Sequence, residues 1–170
     1  MKILPTISCN PILSDSEIEY LGQLHTRLPK LYHNQDVNLF YVHKAMVPSL
    51  LSDDKWLAIQ DKLLSYHGRK CPVTNYFLEY EVGSYARMHI DNTETVDATA
   101  ITLIGKSDDL IGGDIITPSF DSSSKQPRIL PQEIGETMYY YSNTPHGVSK
   151  VDKGSRKVLV TWFRKDTWQK

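Results

Sequence analysis

The chain has 170 residues and a formal net charge of -1, with 19 Lys and Arg against 20 Asp and Glu. That length suits one domain with a sizeable buried core, and the near-neutral balance supplies no global basic field to hold nucleic acid or an anionic membrane. Two cysteines, Cys9 and Cys71, are too few for a disulfide scaffold and form no Cys-x-x-Cys pair, so free thiols in a reducing compartment are expected.

The N-terminal run MKILPTISCNPIL has one lysine and is broken by Pro5 and Pro11, a poor match to a signal peptide. No apolar stretch approaches the ~20 residues of a membrane span. The expectation is a cytoplasmic protein with no membrane partner. The first third reads as helical, a support region over 1–70. From Ser14, SDSEIEYLGQLHTRL opens with a Ser-x-x-Glu capping pattern. Ile18, Leu21, Leu24 and Leu28 then form one apolar stripe, and Pro29 ends it. A second helix is expected from Ser52, with Asp53 and Asp54 at its positive end, Trp56, Ile59, Leu63 and Leu64 as its stripe, and Gly68 as its stop.

After Cys71-Pro72 the segments become short, β-branched and aromatic, separated by turn residues. Strands are expected near 73–80, 85–91, 97–104, 113–117, 128–130, 136–141, 146–151 and 156–164. VDATAITLIG and RKVLVTWF are the strongest of them. Eight short strands without intervening helices suggest a barrel or jelly roll. The fold class is therefore α+β, mainly β, within a single domain 1–170. A β core over 73–165 would carry the N-terminal helices on one sheet. DSSSKQPR, 121–128, is the most loop-like segment. Together with 92–97 and 33–48, the 118–128 loop is expected to shape any site.

The stretch YARMHIDNTE holds His89 and Asp91 two residues apart. Such a pair is short enough to arise by chance. In a strand, however, residues i and i+2 share a face, so both side chains would project together. His146, in YYYSNTPHGVSKV, is the best third partner from a distant strand. Two imidazoles and one carboxylate on one face of an octahedral ion leave positions open, the arrangement of non-haem Fe(II) oxygenases. A closed structural zinc site would need a fourth ligand, preferably sulfur. Ten residues after His146, Arg156 opens the last strong strand, and its fork suits a carboxylate. His25, His33, His43 and His67 have no comparable context.

The order of these features resembles the 2-oxoglutarate- and Fe(II)-dependent dioxygenases of the prolyl 4-hydroxylase-like group, from about Tyr76 to Trp162. The resemblance is carried by Tyr80 and Gly83, His89-x-Asp91, the apolar strand ending at Leu103, and Gly112-Gly113. Pro131, Gly135, the strand TMYYY, His146, Gly154-x-Arg156 and Trp162 complete it. It implies a double-stranded β-helix core of jelly-roll or cupin-like type. It also implies His89, Asp91 and His146 as the iron ligands and catalytic centre. Arg156 and Tyr80 would hold the far carboxylate of 2-oxoglutarate, and Thr102, more loosely, would help. Trp162 would line the substrate pocket, with Tyr85 and Arg87 as candidates at its entrance. The implied cofactors are Fe(II), 2-oxoglutarate and O2, with ascorbate as the reductant.

The implied activity is hydroxylation of an unactivated carbon, foremost a prolyl residue in a peptide or protein. The alternatives are a free amino acid or other small molecule as substrate, or a catalytically silent metal-binding module of the same fold. Two departures bear on the substrate. The polar stretch NTETVD follows the metal motif, with Val96 and Asp97 where the oxygen-sensing branch places an arginine. Asp114 follows the glycine pair in place of the common glutamate.

Overall fold

The computed structural model of the chain describes residues 6–33, 39–48, 51–119 and 126–165. Its described elements run β1 (Ser8–Pro11), α1 (Asp15–Arg27), β2 (Leu31–His33), β3 (Leu39–Met46) and α2 (Asp54–His67), followed by β4 (Val73–His89) and β5 (Val96–Lys106). Next come β6 (Ile115–Thr117), β7 (Arg128–Leu130), β8 (Glu136–Tyr141), β9 (His146–Val148) and β10 (Arg156–Arg164). Among the described residues no helix is long and apolar enough to cross a membrane.

Both helices form where the sequence places them, for local reasons. Ser14 caps α1 in a reciprocal box, its own N–H donating to the Glu17 carboxylate at 2.7 Å. Asp53 caps α2 by accepting from the Lys55 and Trp56 amides, and Gly68 closes it in the left-handed conformation at φ 84°. Each helix buries one stripe: Ile18, Leu21 and Leu24 from α1, and Trp56, Ile59 and Leu63 from α2. Burying each of these large side chains contributes roughly 1.5–3 kcal/mol.

The strands form one curled antiparallel sheet in the order β1-β8-β5-β10-β4-β9-β6-β7, with β3 on the free flank of β4 and β2 beside it. Period-2 alternation divides the core between its two faces. Phe77, Ala98, Ala100, Ile104, Leu159 and Phe163 point to the convex face and pack against both helices. Tyr76, Leu78, Tyr80, Ile101, Leu103, Val158 and Val160 point into the concave face. The chain is thus mainly β with two helices on one side, a double-stranded β-helix.

Two sequence expectations need correction. The first third is not only helical, since β1, β2 and β3 join the sheet there. The polar pair His43-Lys44 interrupts the apolar run of β3 and hides its alternation. The expected strands 73–80 and 85–91 are one bent strand, β4, and the bend lies near Gly83, whose φ is 91° and whose N–H bonds the Val151 carbonyl at 2.8 Å. Most of the loop 121–128 lies outside the described residues, as does 34–38 within the 33–48 segment.

The glycine pair is a packing requirement. Gly112 has φ 79°, and a Cβ there would sit 1.9 Å from the Lys150 carbonyl oxygen, which is backbone and cannot swing aside. Gly112→Ala is therefore expected to lower the thermal midpoint by several degrees at least, read by circular dichroism. An unchanged midpoint would contradict this packing.

Candidate metal and cosubstrate site

His89 closes β4 and His146 opens β9, and the two residues are direct cross-strand partners. Their ring centroids lie 4.4 Å apart. A bulge makes this possible. Ala86 pairs with Val148 and His89 with His146, so three steps on β4 match two on β9. The extra residue reverses the alternation and turns His89 into the concave face alongside Ala86. Gly147 sits against the bulge, where a Cβ would meet the Ala86 carbonyl oxygen at 2.9 Å.

Asp91 is placed differently from the strand argument. The strand ends at His89, and Asp91 lies beyond it, fixed by its amide to the Ser142 carbonyl at 3.0 Å. Its Oδ2 accepts from the Thr99 hydroxyl at 2.5 Å, which leaves Oδ1 facing His89 Nε2 at 3.8 Å. His89 Nδ1 bonds the Arg87 carbonyl at 2.6 Å and His146 Nδ1 bonds the Thr144 carbonyl at 3.0 Å. A carbonyl only accepts, so each Nδ1 carries the proton and each Nε2 presents a lone pair. Burial pushes the His146 imidazole below its ordinary value, favouring the neutral form that ligates metal. The three ligand atoms all lie within 4.8 Å of one another, and among the described residues no fourth His, Cys, Asp or Glu joins them.

These side chains open onto a cavity of about 230 Å³. Arg156, Tyr80 and Trp162 line the same cavity. Arg156 is buried, at 3 % exposure, and paired across the sheet with Tyr80. Its Nη1 donates to the Gly113 carbonyl and its Nη2 to Gln132 Oε1 at 3.0 Å, while Nε has no partner among the described residues. Gln132 is itself oriented by donating to the Ile101 and Glu136 carbonyls, at 2.8 and 2.7 Å. Both acceptors on Arg156 are neutral, and among the described residues no carboxylate stands within ion-pair distance of it. Burial pushes its guanidinium below the usual value, opposed by Tyr80 and Asp114. A buried cation without a counter-charge is costly unless an anion arrives. Tyr140, also in the wall, has a fully buried hydroxyl without a partner among the described residues, a second donor for a ligand oxygen.

Three other sequence candidates lie outside this cavity. Thr102 points to the convex face, its hydroxyl bonded to Thr137 at 2.8 Å. Strand parity is the reason, since Ile101 and Leu103 face the cavity and Thr102 alternates with them. Thr99 has the inward parity and is the hydroxyl that sequence reasoning missed. Tyr85 is half-buried and Arg87 exposed, and the bulge directs neither into the cavity lining. His25, His43 and His67 pair elsewhere, with Glu79, Glu81 and Asp97. The side chain of His33 lies outside the described residues.

Thr99→Val keeps the shape and removes the hydroxyl. Metal affinity should fall about 10- to 100-fold, as for other groups that orient a ligand, measured by competition with a chelator. Unchanged affinity would show that Asp91 needs no such support.

No family model matches the sequence, and no curated protein matches it. Solved structures do match in shape. A Pseudomonas putida prolyl-4-hydroxylase superposes with TM-score 0.71 at 18% identity, over 94% of this chain and 92% of that one. The viral collagen prolyl hydroxylase of Paramecium bursaria Chlorella virus-1, in its 2-oxoglutarate complex, gives 0.68 at 15% identity, over 93% and 95%. HygX from Streptomyces hygroscopicus, with nickel, 2-oxoglutarate and hygromycin B bound, gives 0.70 at 14% identity, over 96% and 84%. This chain has the fold of the prolyl 4-hydroxylase-like 2-oxoglutarate and Fe(II) oxygenases, with a His-Asp-His cluster on its concave face.

Proposed function

We propose that the protein is a 2-oxoglutarate- and Fe(II)-dependent oxygenase that hydroxylates an unactivated carbon, foremost a prolyl residue of a peptide. The observation that carries this reading is one cavity holding both the three convergent ligand atoms and a buried arginine that has no counter-charge among the described residues. The donor set fits Fe(II), with borderline imidazole and hard carboxylate donors and no thiolate. Arg156 fits the distal carboxylate of a dicarboxylic acid, which a guanidinium binds at two points. The collagen enzyme and the prolyl-4-hydroxylase support the prolyl reading, and HygX, with hygromycin B bound, supports a small-molecule one.

When bound, Fe(II) and 2-oxoglutarate supply O2 activation and the oxidising equivalents that place a hydroxyl on carbon, with succinate and CO2 as co-products. The chain's own residues do the rest. His89, Asp91 and His146 would hold the metal. The backbone carbonyls of Arg87 and Thr144 hold both imidazoles with Nε2 towards the ion. Thr99 restricts Asp91 to one free oxygen. Arg156, braced by Gly113 and Gln132, fixes the far end of the cosubstrate, with Tyr80 beside it. Ile101, Val148, Val158 and Val160 keep the cavity wall apolar. Trp162 gives the substrate a flat apolar surface.

The reading is tested by calorimetric titration of 2-oxoglutarate into protein loaded with Ni(II), a redox-inert substitute. Binding that requires the metal and is lost to excess chelator is expected. Equal binding with and without metal would reject it, because the metal must supply part of the cosubstrate's site.

A further inference from the structure

Gln132 lies in the turn 131–135 between β7 and β8 and is buried, yet it is not among the residues lining the cavity. Its side-chain amide donates to two carbonyls, Ile101 on β5 at 2.8 Å and Glu136 on β8 at 2.7 Å. The pairing of β5 with β8 runs from Ala98 opposite Tyr141 to Thr102 opposite Thr137, so Glu136 stands just past its end. One role of this glutamine is therefore structural, because it satisfies carbonyls where the ladder stops. That role does not account for the other half of the amide. With both N–H groups committed to carbonyls, the amide cannot be turned over, since Oε1 would then face two carbonyl oxygens. Oε1 is held towards Arg156 and accepts from its Nη2 at 3.0 Å.

The oxygen offered to Arg156 is neutral although carboxylates stand close by in the chain. Glu133 pairs with Lys106 at 2.8 Å, and Glu136 accepts from the Glu133 amide at 2.7 Å and from the Cys9 thiol. Neither pairs with Arg156. A carboxylate at position 132 would satisfy the guanidinium and close it to a ligand anion. The glutamine instead aims the guanidinium without neutralising it. Among the described residues, the bonds to Gly113 and Gln132 use two of the five N–H groups of the arginine. Three remain, Nε among them, enough for a two-point bond to one carboxylate. Two fixed acceptors on different nitrogens also leave the planar fork one orientation, so less rotamer freedom is lost when a ligand arrives.

We propose that Gln132 is a positioning residue that sets cosubstrate selectivity: by aiming Arg156 with a neutral acceptor, it makes the cavity prefer 2-oxo acids that carry a second carboxylate. This inference rests on the oxygenase reading and deepens it, because it explains why the arginine stays available to an anion. Gln132 touches neither metal nor cosubstrate and acts only through Arg156. Its effect should therefore fall on the distal carboxylate alone.

The test measures affinities, so turnover is not needed. It compares 2-oxoglutarate with 2-oxovalerate, which has the same chain length and the same metal-binding end but a methyl in place of the distal carboxylate. Both are titrated calorimetrically into Ni(II)-loaded protein, wild type and Gln132→Met. The wild type is expected to prefer 2-oxoglutarate by about 100-fold, as for a buried ion pair. In Gln132→Met that preference should shrink by about tenfold, the size of one hydrogen bond to a charged group. Affinity for 2-oxovalerate should stay within about twofold, which also shows that the variant is folded. A purely structural glutamine predicts a different result, both acids weakened by the same factor. That result overturns the proposal, as does an undiminished preference in Gln132→Met or a variant that binds neither acid. Equal affinity of the wild type for the two acids also overturns it. Failure of the wild type to bind 2-oxoglutarate at all would instead reject the oxygenase reading.

Discussion

Arg156→Met should weaken 2-oxoglutarate binding by about 100-fold or more while leaving metal affinity within a few-fold. The basis is the isolation of this cation. It donates to the neutral carbonyl oxygens of Gly113 and Gln132, its Nε has no partner among the described residues, and the residue is buried. The bound carboxylate would be its counter-ion, and removing one member of a buried pair costs about 3 kcal/mol or more, roughly 100-fold in affinity. Methionine fills most of the vacated volume, so the sheet should hold. Calorimetry on the Ni(II)-loaded variant separates the two affinities. Loss of metal and cosubstrate together would indicate collapse of the cavity, and retention of both would remove Arg156 from the site.

His146→Ala should abolish stable metal binding and, with it, all 2-oxoglutarate turnover. His146 is 5 % exposed, and its Nδ1 is committed to Thr144. With Nε2 gone, only His89 and Asp91 remain, and two adjacent donors bind a divalent ion far less tightly than three. The fold should survive better than for most buried residues, because burial already disfavours the charged imidazole. Melting curves with and without Ni(II) give the check. The wild type should be stabilised by the metal and the variant should not. A metal-dependent rise of similar size in the variant would exclude His146 as a ligand.

How far the site was legible follows from particular residues. α1 and α2 were readable because capping and apolar stripe agree at Ser14–Glu17 and at Asp53 with Trp56, Ile59 and Leu63. β5 and β10 were readable as dense β-branched runs. His89, Asp91, His146 and Arg156 stood out only through their order along the chain. The reason first given for pairing His89 with Asp91, strand parity, does not apply, because the strand stops at His89 and a bulge sets its direction. Bulges depend on the partner strand, which one sequence does not show. Thr99 was within reach, since parity along the strand VDATAITLIG puts it on the same face as Ile101 and Leu103. The same argument removes Thr102. Gln132 was out of reach, because its role depends on a contact with Arg156, 24 residues away, and on two carbonyls.

The central claim is tested most directly by succinate formation from 2-oxoglutarate in air, with Fe(II) and ascorbate, comparing the wild type with His89→Ala. The comparison is run with and without L-proline and a mixed proline-rich peptide library. The account predicts Fe(II)-dependent succinate in the wild type, stimulated by at least one of these compounds, and none above background in His89→Ala. Succinate at the same rate in both proteins, or none from the wild type under any of these conditions, would contradict it.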